Sequence, residues 1–320
     1  MSWSSSSNWN IAENTMISHF VSYTILSVFL ITTGLGAGPD ALAQSTQSTP
    51  RKIVSDDFTK NRQQPGTQTP KPKQPKRTYR LASAPPATPQ ATVNKNTVAQ
   101  LGITIWRLRP TNATDTGARM LVREKSKTSE LVPERVEAGT TFREGDQVRL
   151  TIESAQSGYL YVVDRELLLD GSTGPAMLIY PWTGMQGGSN QVGPGKLIDI
   201  PAQEDDPSYF TARRSSAAHA GEILTVIVTS SPLDLPISDK PLQISNADLA
   251  KWEKLWGGQT ERFEMEGGAG ETWTTQEQQA AANTGGRQLT REDPAPQTIY
   301  RIFAPDSKAL LVNVRLHYGR

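Results

Sequence analysis

Between Leu101 and Tyr318 the chain repeatedly alternates apolar and polar residues at a period of two. Short clusters of Gly, Pro, Asp and Ser interrupt the alternation. A period of two places successive side chains on opposite faces of an extended strand, which no helix can satisfy. "QVRLTIES" (147–154) puts Val148, Leu150 and Ile152 on one face and Gln147, Arg149, Thr151 and Glu153 on the other. "ALLVNVRLHY" (309–318) turns Leu310, Val312, Val314, Leu316 and Tyr318 inward and Asn313, Arg315 and His317 outward. "GEILTVIVTSS" (221–231), "QTIYRIF" (297–303), "GITIWRL" (102–108), "ARMLVRE" (118–124) and "AMLIYPW" (176–182) add further strands. Glu144-Gly145-Asp146, Asp170-Gly171 and Gly193-Pro194-Gly195 supply turns between them. Short strands at such spacing predict an all-β fold, an antiparallel β-sandwich of immunoglobulin-like or related type.

"SGYLYVVDREL" (157–167) is apolar on both faces, with Tyr159, Tyr161 and Val163 opposite Leu160 and Val162. A sandwich buries one face of each strand, so this strand needs a second cover. The expected covers are "GITIWRL" and a helix over "SNADLAKWEKLWGG" (245–258). That helix is capped by Ser245 or Asn246, ended by Gly257 and striped by Leu249, Trp252 and Trp256. Residues 234–295 read as a polar insertion. Its Gly-, Gln- and Glu-rich part from Gly257 to Pro294 is expected to be mobile, with a second short helix at "TTQEQQAAAN".

The N-terminal third is different. Phe20–Thr32 is a 13-residue apolar run followed by Ala41-Leu42-Ala43, the pattern of a signal peptide spanning 1–43. The region before the run carries Glu13 and no Lys or Arg, a departure that leaves an uncleaved anchor as the alternative. Export predicts a periplasmic or extracellular protein, with membrane contact only through an uncleaved signal. Residues 44–99 are rich in Pro, Gln, Ser and Thr, and Gln44–Gln100 carries ten basic residues against Asp56 and Asp57. So few large apolar residues predict a disordered basic linker. It serves as a spacer or as an electrostatic contact for an anionic surface. Nucleic acid is not an expected partner of an exported chain.

Chemistry is sparse. The chain has no cysteine, which excludes thiol catalysis, disulfides and thiolate metal sites. His19 falls in the signal, His219 in the polar stretch "SSAAHAGE" and His317 on an outward position. None accompanies a serine-hydrolase motif, and no nucleotide-binding loop is present. No catalytic residue and no cofactor is therefore expected. Asp164 and Glu166 share a strand face and Asp170 follows in a turn. These three are the only candidates for oxygen ligation of a metal, although carboxylates at strand ends are commonly turn formers. A carbohydrate-binding or carbohydrate-active protein, the alternative reading, would use Asp164 and Glu166 with Trp182 or the acidic run Glu204-Asp205-Asp206.

The run "FREGDQVRLTIESAQSGYLYVVDRE" (142–166) is followed in order by "LIYP", Asn190, "GKLIDIP", "GEILTVIVTSSPL" and "VNVRLHY". Over about residues 132–318 this series resembles the bacterial domain of unknown function labelled DUF 4384. The resemblance implies a β-rich module, found behind export signals or attached to kinases and caspase-like peptidases, with no established catalytic residues to carry over. Gly145, Asp146, Gly158, Tyr159, Tyr161, Pro181 and Gly221 match its pattern, each with a structural explanation. The functional expectation is an exported, non-enzymatic module that binds a protein or a cell-envelope polymer.

Overall fold

The computed structural model describes residues 53–64, 77–84, 98–112, 115, 120–124, 127–182, 189–237, 241–282, 287–303 and 308–319. The expected signal peptide, its cleavage site and most of the linker lie outside these residues.

Two sheets face each other across one core, and the fold is a β-sandwich. In the first, β2 (Val98–Pro110) is the spine. One edge of β2 pairs first with β15 (Thr298–Phe303) and then with β4 (Lys127–Val136). Its other edge pairs with β6 (Gln147–Ser154). Beyond β15 lie β14 (Gln259–Met265) and β1 (Tyr79–Ser83), and beyond β4 lies β3 (Met120–Glu124). β10 (Ile198–Ile200) and β11 (Phe210–Thr211) close the far edge of β6. The second sheet runs β13 (Leu242–Ile244), β8 (Ala176–Tyr180), β7 (Gly158–Leu168), β12 (His219–Thr229), β16 (Ala309–Tyr318) and β5 (Thr141–Phe142), with β9 (Gln191–Val192) against the start of β7. Every strand pairing is antiparallel except β5 with β16.

Alternation places the apolar faces. Leu101, Ile103 and Ile105 of β2, Val148, Leu150 and Ile152 of β6, Leu160 and Val162 of β7, and Leu310, Val312 and Val314 of β16 are all buried in the shared core. The opposite face of β7 carries Tyr161 and Val163. These pack with Ile227, Leu311 and α2 (Asn246–Trp256) through Leu249, Trp252 and Trp256. The Ser245 side chain accepts from the Asp248 N–H at 3.0 Å and caps α2 as its sequence predicts. The second cover of β7 is therefore the helix together with Leu233 and Leu235 of the loop after β12, where the Leu233 N–H donates to the Tyr161 hydroxyl at 2.7 Å. "GITIWRL" is the spine of the opposing sheet and covers the inner face of β7 instead.

Two expectations are overturned. Within the linker, α1 (Ile53–Thr59) buries Val54 and Phe58 against Tyr79, Phe263 and Ile299, and β1 completes an edge of the first sheet. Phe58 seats directly over Gly102, where a Cβ would meet its ring at 2.7 Å and Pro296 at 2.2 Å. The insertion is likewise part of the body. β14 lies between β1 and β15, α3 (Thr275–Ala281) forms with a Thr274–Glu277 capping box, and Trp273 is buried.

The outer face of β2, β4 and β6 explains what both segments cover. Arg149 and Glu153, read from the sequence as solvent-facing, are 0% and 1% exposed. Arg62, just past α1, donates to both oxygens of Glu153 at 2.8 and 2.6 Å, and to the carbonyls of Thr290, Asp293 and Pro294. Arg135 pairs with Glu277, and Arg149 with Asp199. The guanidinium groups of Arg135 and Arg149 lie 5.2 Å from the rings of Trp106 and Trp273, which meet edge-on at 6.0 Å. A buried charge is tolerable only when paired and hydrogen-bonded. α1 leads in Arg62, residues 271–282 and 287–297 supply Glu277 and the accepting carbonyls, and β10 supplies Asp199, so the layer meets that condition.

Candidate functional site

Two places concentrate polar groups away from the ion-pair layer: one end of the sandwich core and a lateral groove.

At the core end, the inward parity of two strands carries acids. Asp164 continues the inner face of Leu160 and Val162, and Glu222 continues that of Leu224, Val226 and Val228. Glu222 lies opposite Glu166 and Asp164 opposite Leu224, so Asp164 and Glu222 are diagonal neighbours on one face. Tyr318 donates its hydroxyl to Glu222 Oε1 at 3.0 Å. His219 Nε2 lies 3.1 Å from the same oxygen and 2.8 Å from the Gly221 carbonyl. Neither Asp164 Oδ1 nor Glu222 Oε2 has a hydrogen-bond partner. Burial raises both carboxyls above their ordinary range, reinforced by the charge of Glu166 at Asp164 and by the charges of Asp164 and Glu166 at Glu222. Burial, with the Glu222 carboxylate beside it, also raises the Tyr318 hydroxyl. Glu222, pushed up to about 9, and the Tyr318 hydroxyl hold protons at neutral pH, while Asp164, pushed up to about 7, is near its midpoint there.

His219 also links a serine to this end. Ser215 Oγ stands 3.3 Å from Nδ1, giving a Ser215–His219–Glu222 line that the sequence did not reveal. The line is a turn, not a nucleophile. The Nδ1 lone pair already accepts the Ser215 backbone N–H at 3.0 Å. A Glu222 held protonated cannot offset the charge of an imidazolium.

The sequence candidates are not gathered. Asp170 is exposed in its turn, where Ser172 donates its N–H and Oγ–H to Oδ1 at 2.9 and 2.6 Å; these bonds lower the carboxyl. Among the described residues no group of three His, Asp or Glu is placed to hold a metal ion, so Asp164, Glu166 and Asp170 do not form one. Trp182 lies beyond Tyr180, which pairs with Val162, while Met177 at the other end of β8 pairs with Asp164. Glu204–Asp206 follow β10 of the other sheet, where Asp205 Oδ2 accepts from the Ala202 N–H at 2.7 Å. The set needed for a carbohydrate site is thus dispersed over both sheets.

The groove, of about 380 Å³, opens at the β16 edge of the second sheet. Leu311, Val312, Asn313, Arg315 and His317 form one wall. Ser83, Thr260, Arg262 and Tyr300 of the first sheet form another. Gly257 and Gly258, leaving α2, and Ala138 and Gly139 close its ends. Ser83, Arg262 and Tyr300 form one row across β1, β14 and β15. Three of these four wall residues come from the segments read as linker and polar insertion, Ser83 from the first and Thr260 and Arg262 from the second. Glu253 at the rim is neutralised by Arg165 at 2.7 Å. Arg315 is exposed and carries no ion pair among the described residues, and Arg262 approaches Glu264 only at 3.5 Å. The groove is basic on balance.

Fold and groove together define a β-sandwich with a lateral cleft. Comparison with family models, curated proteins and solved structures finds no match for the chain.

Proposed function

We propose that the chain is an exported, non-enzymatic β-sandwich module that binds a protein or a cell-envelope polymer in its lateral groove. The observation that carries this reading is the groove itself: a concave, basic site built from both sheets and lined by three glycines that expose backbone. Concave sites with a few convergent polar groups are where ligands generally bind. The apolar run and A-x-A site at the N-terminus support export, and the resemblance to DUF 4384 supports a binding module.

Gly139 offers a direct test. It is exposed, and a Cβ there would meet nothing within 4 Å, so Gly139→Trp fills the groove without disturbing the fold. Residues 44–320, with and without this substitution, serve as baits in native envelope extract. The bait keeps residues 53–84 because α1 and β1 belong to the body. The expected result is a partner retained by the native bait and lost from Gly139→Trp. Equal retention by both would move recognition to another surface.

A further inference from the structure

We infer that the groove takes a short acidic peptide in extended conformation, added as a strand along the free part of the β16 edge. This rests on the groove being the binding site and names its ligand. One edge of β16 is paired with β12 over its whole length, from Ala309 to His317. Among the described residues the other edge is met at two places. Gly257 bridges Leu311, and β5 pairs with His317 and Tyr318. Gly319 donates its N–H to the Phe142 carbonyl at 2.7 Å, so odd-numbered residues point their backbone groups toward this edge. By the same alternation Asn313 and Arg315 present their N–H and C=O groups there, and among the described residues no strand meets them. Leu311 to His317 spans roughly 20 Å at ~3.3 Å per residue, room for about four added residues.

A strand edge of this kind recognises peptide backbone, whereas side-chain chemistry selects the sequence. Here that selection is electrostatic. Arg315 and Arg262 flank the edge, and the one carboxylate on the rim, Glu253, is already engaged by Arg165. The glycines at 257 and 258 and at 139 let a second backbone approach without a Cβ in the way. Carboxylates on alternate residues of the incoming strand would share one face, that of the exposed Arg315. An anionic polysaccharide would meet the arginines equally well but could not use the Asn313 and Arg315 amides.

The test is fluorescence anisotropy with the full chain and a labelled, end-capped eight-residue peptide alternating glutamate and valine. The competitors are the same peptide N-methylated at alternate amides, and dextran sulfate. Saturable binding is expected at 0.05 M salt. N-methylation and Arg315→Glu should each weaken it at least tenfold, and the amide resonances of Asn313 and Arg315 should shift. If the N-methylated peptide binds as tightly as its parent, the added strand is refuted. If only dextran sulfate binds, the ligand is a polyanion and the peptide inference falls. If no probe binds while Gly139→Trp still abolishes capture from extract, the groove stands and the acidic peptide does not.

Discussion

The buried acids at the core end make stability depend on pH in an unusual direction. Glu222 is faced by Asp164 and Glu166 from β7, by Tyr318 from β16 and by His219 from its own strand. Glu144, from the turn before β6, acts on Tyr318, and the Arg214 guanidinium is held by the carbonyls of Tyr318 and Gly319. No cation offsets the carboxyl directly. Burial and the Asp164 charge raise it, so the folded state keeps a proton that the unfolded chain releases above the ordinary glutamate range near 4.3. A raised acid contributes stability that is complete below that range and is lost as pH rises. The slope for one retained proton is about 1.4 kcal/mol per pH unit, or about 2.7 kcal/mol between pH 6 and 8. Glu222→Gln keeps an acceptor for Tyr318 and places an amide where the unpartnered Oε2 lies, but it cannot titrate. Urea unfolding at pH 6, 7 and 8, followed by tryptophan fluorescence, should show wild type losing stability relative to Glu222→Gln by about that slope. Asp199 and Asp164, each pushed up to about 7 chiefly by burial, titrate in both proteins, so the comparison is between the two slopes and not of either slope alone. Parallel profiles for the two proteins would refute the reasoning.

Arg62→Met should cost about 3–5 kcal/mol in denaturant unfolding, because it strands the buried Glu153 carboxylate; adding Glu153→Met should recover much of that loss. Starting the chain at Asn96 removes α1 and β1 and bares Phe263 and Ile299; the expected product is aggregated or lacks a cooperative transition by circular dichroism. Trp273→Ala should cost about 3–5 kcal/mol by thermal or urea melting, since it empties the space between Trp106 and Arg149. A fluorophosphonate probe should leave Ser215 unlabelled by mass spectrometry, because the Nδ1 lone pair of His219 is occupied.

The sequence spoke clearly wherever burial was apolar. The faces of β7 and β16, the α2 helix and its serine cap were readable because Leu, Val and Ile recur with the period of their element. It misled wherever burial was polar. Arg149 and Glu153 occupy an outer strand face that alternation assigns to solvent, and only the chain folded above them, from α1 and residues 271–282 and 287–297, shows otherwise. α1 has two apolar anchors, Val54 and Phe58, among charged neighbours, and β14 ("QTERFEM") shows more charge than hydrophobicity. α1 packs on Phe263 and Ile299, and β14 pairs along one edge with β1, partners distant in the chain that no local pattern records. The carboxyl cluster did leave a signal. Asp164 and Glu222 stand at inward positions of otherwise apolar faces, and parity alone would have marked them. His219 left none, since its contacts follow from the offset at the start of β12.

The pairing of β1 with β14, and of Arg62 with carbonyls at 290–294, has a consequence for how the chain acquires its shape. A chain threaded N-terminus first through a narrow pore would carry α1 and β1 out early, with nothing to dock on. Their seats lie on β14 and β15, and β15 ends at Phe303. The second sheet waits too, since β12 gains its neighbour β16 only at Ala309–Tyr318. Contacts of such sequence separation form slowly, and here they cannot form at all until nearly every residue has emerged. In a chain so threaded, α1 and β1 would stay without their seats until β14 and β15 had followed, and β12 without β16 until Ala309–Tyr318 had emerged.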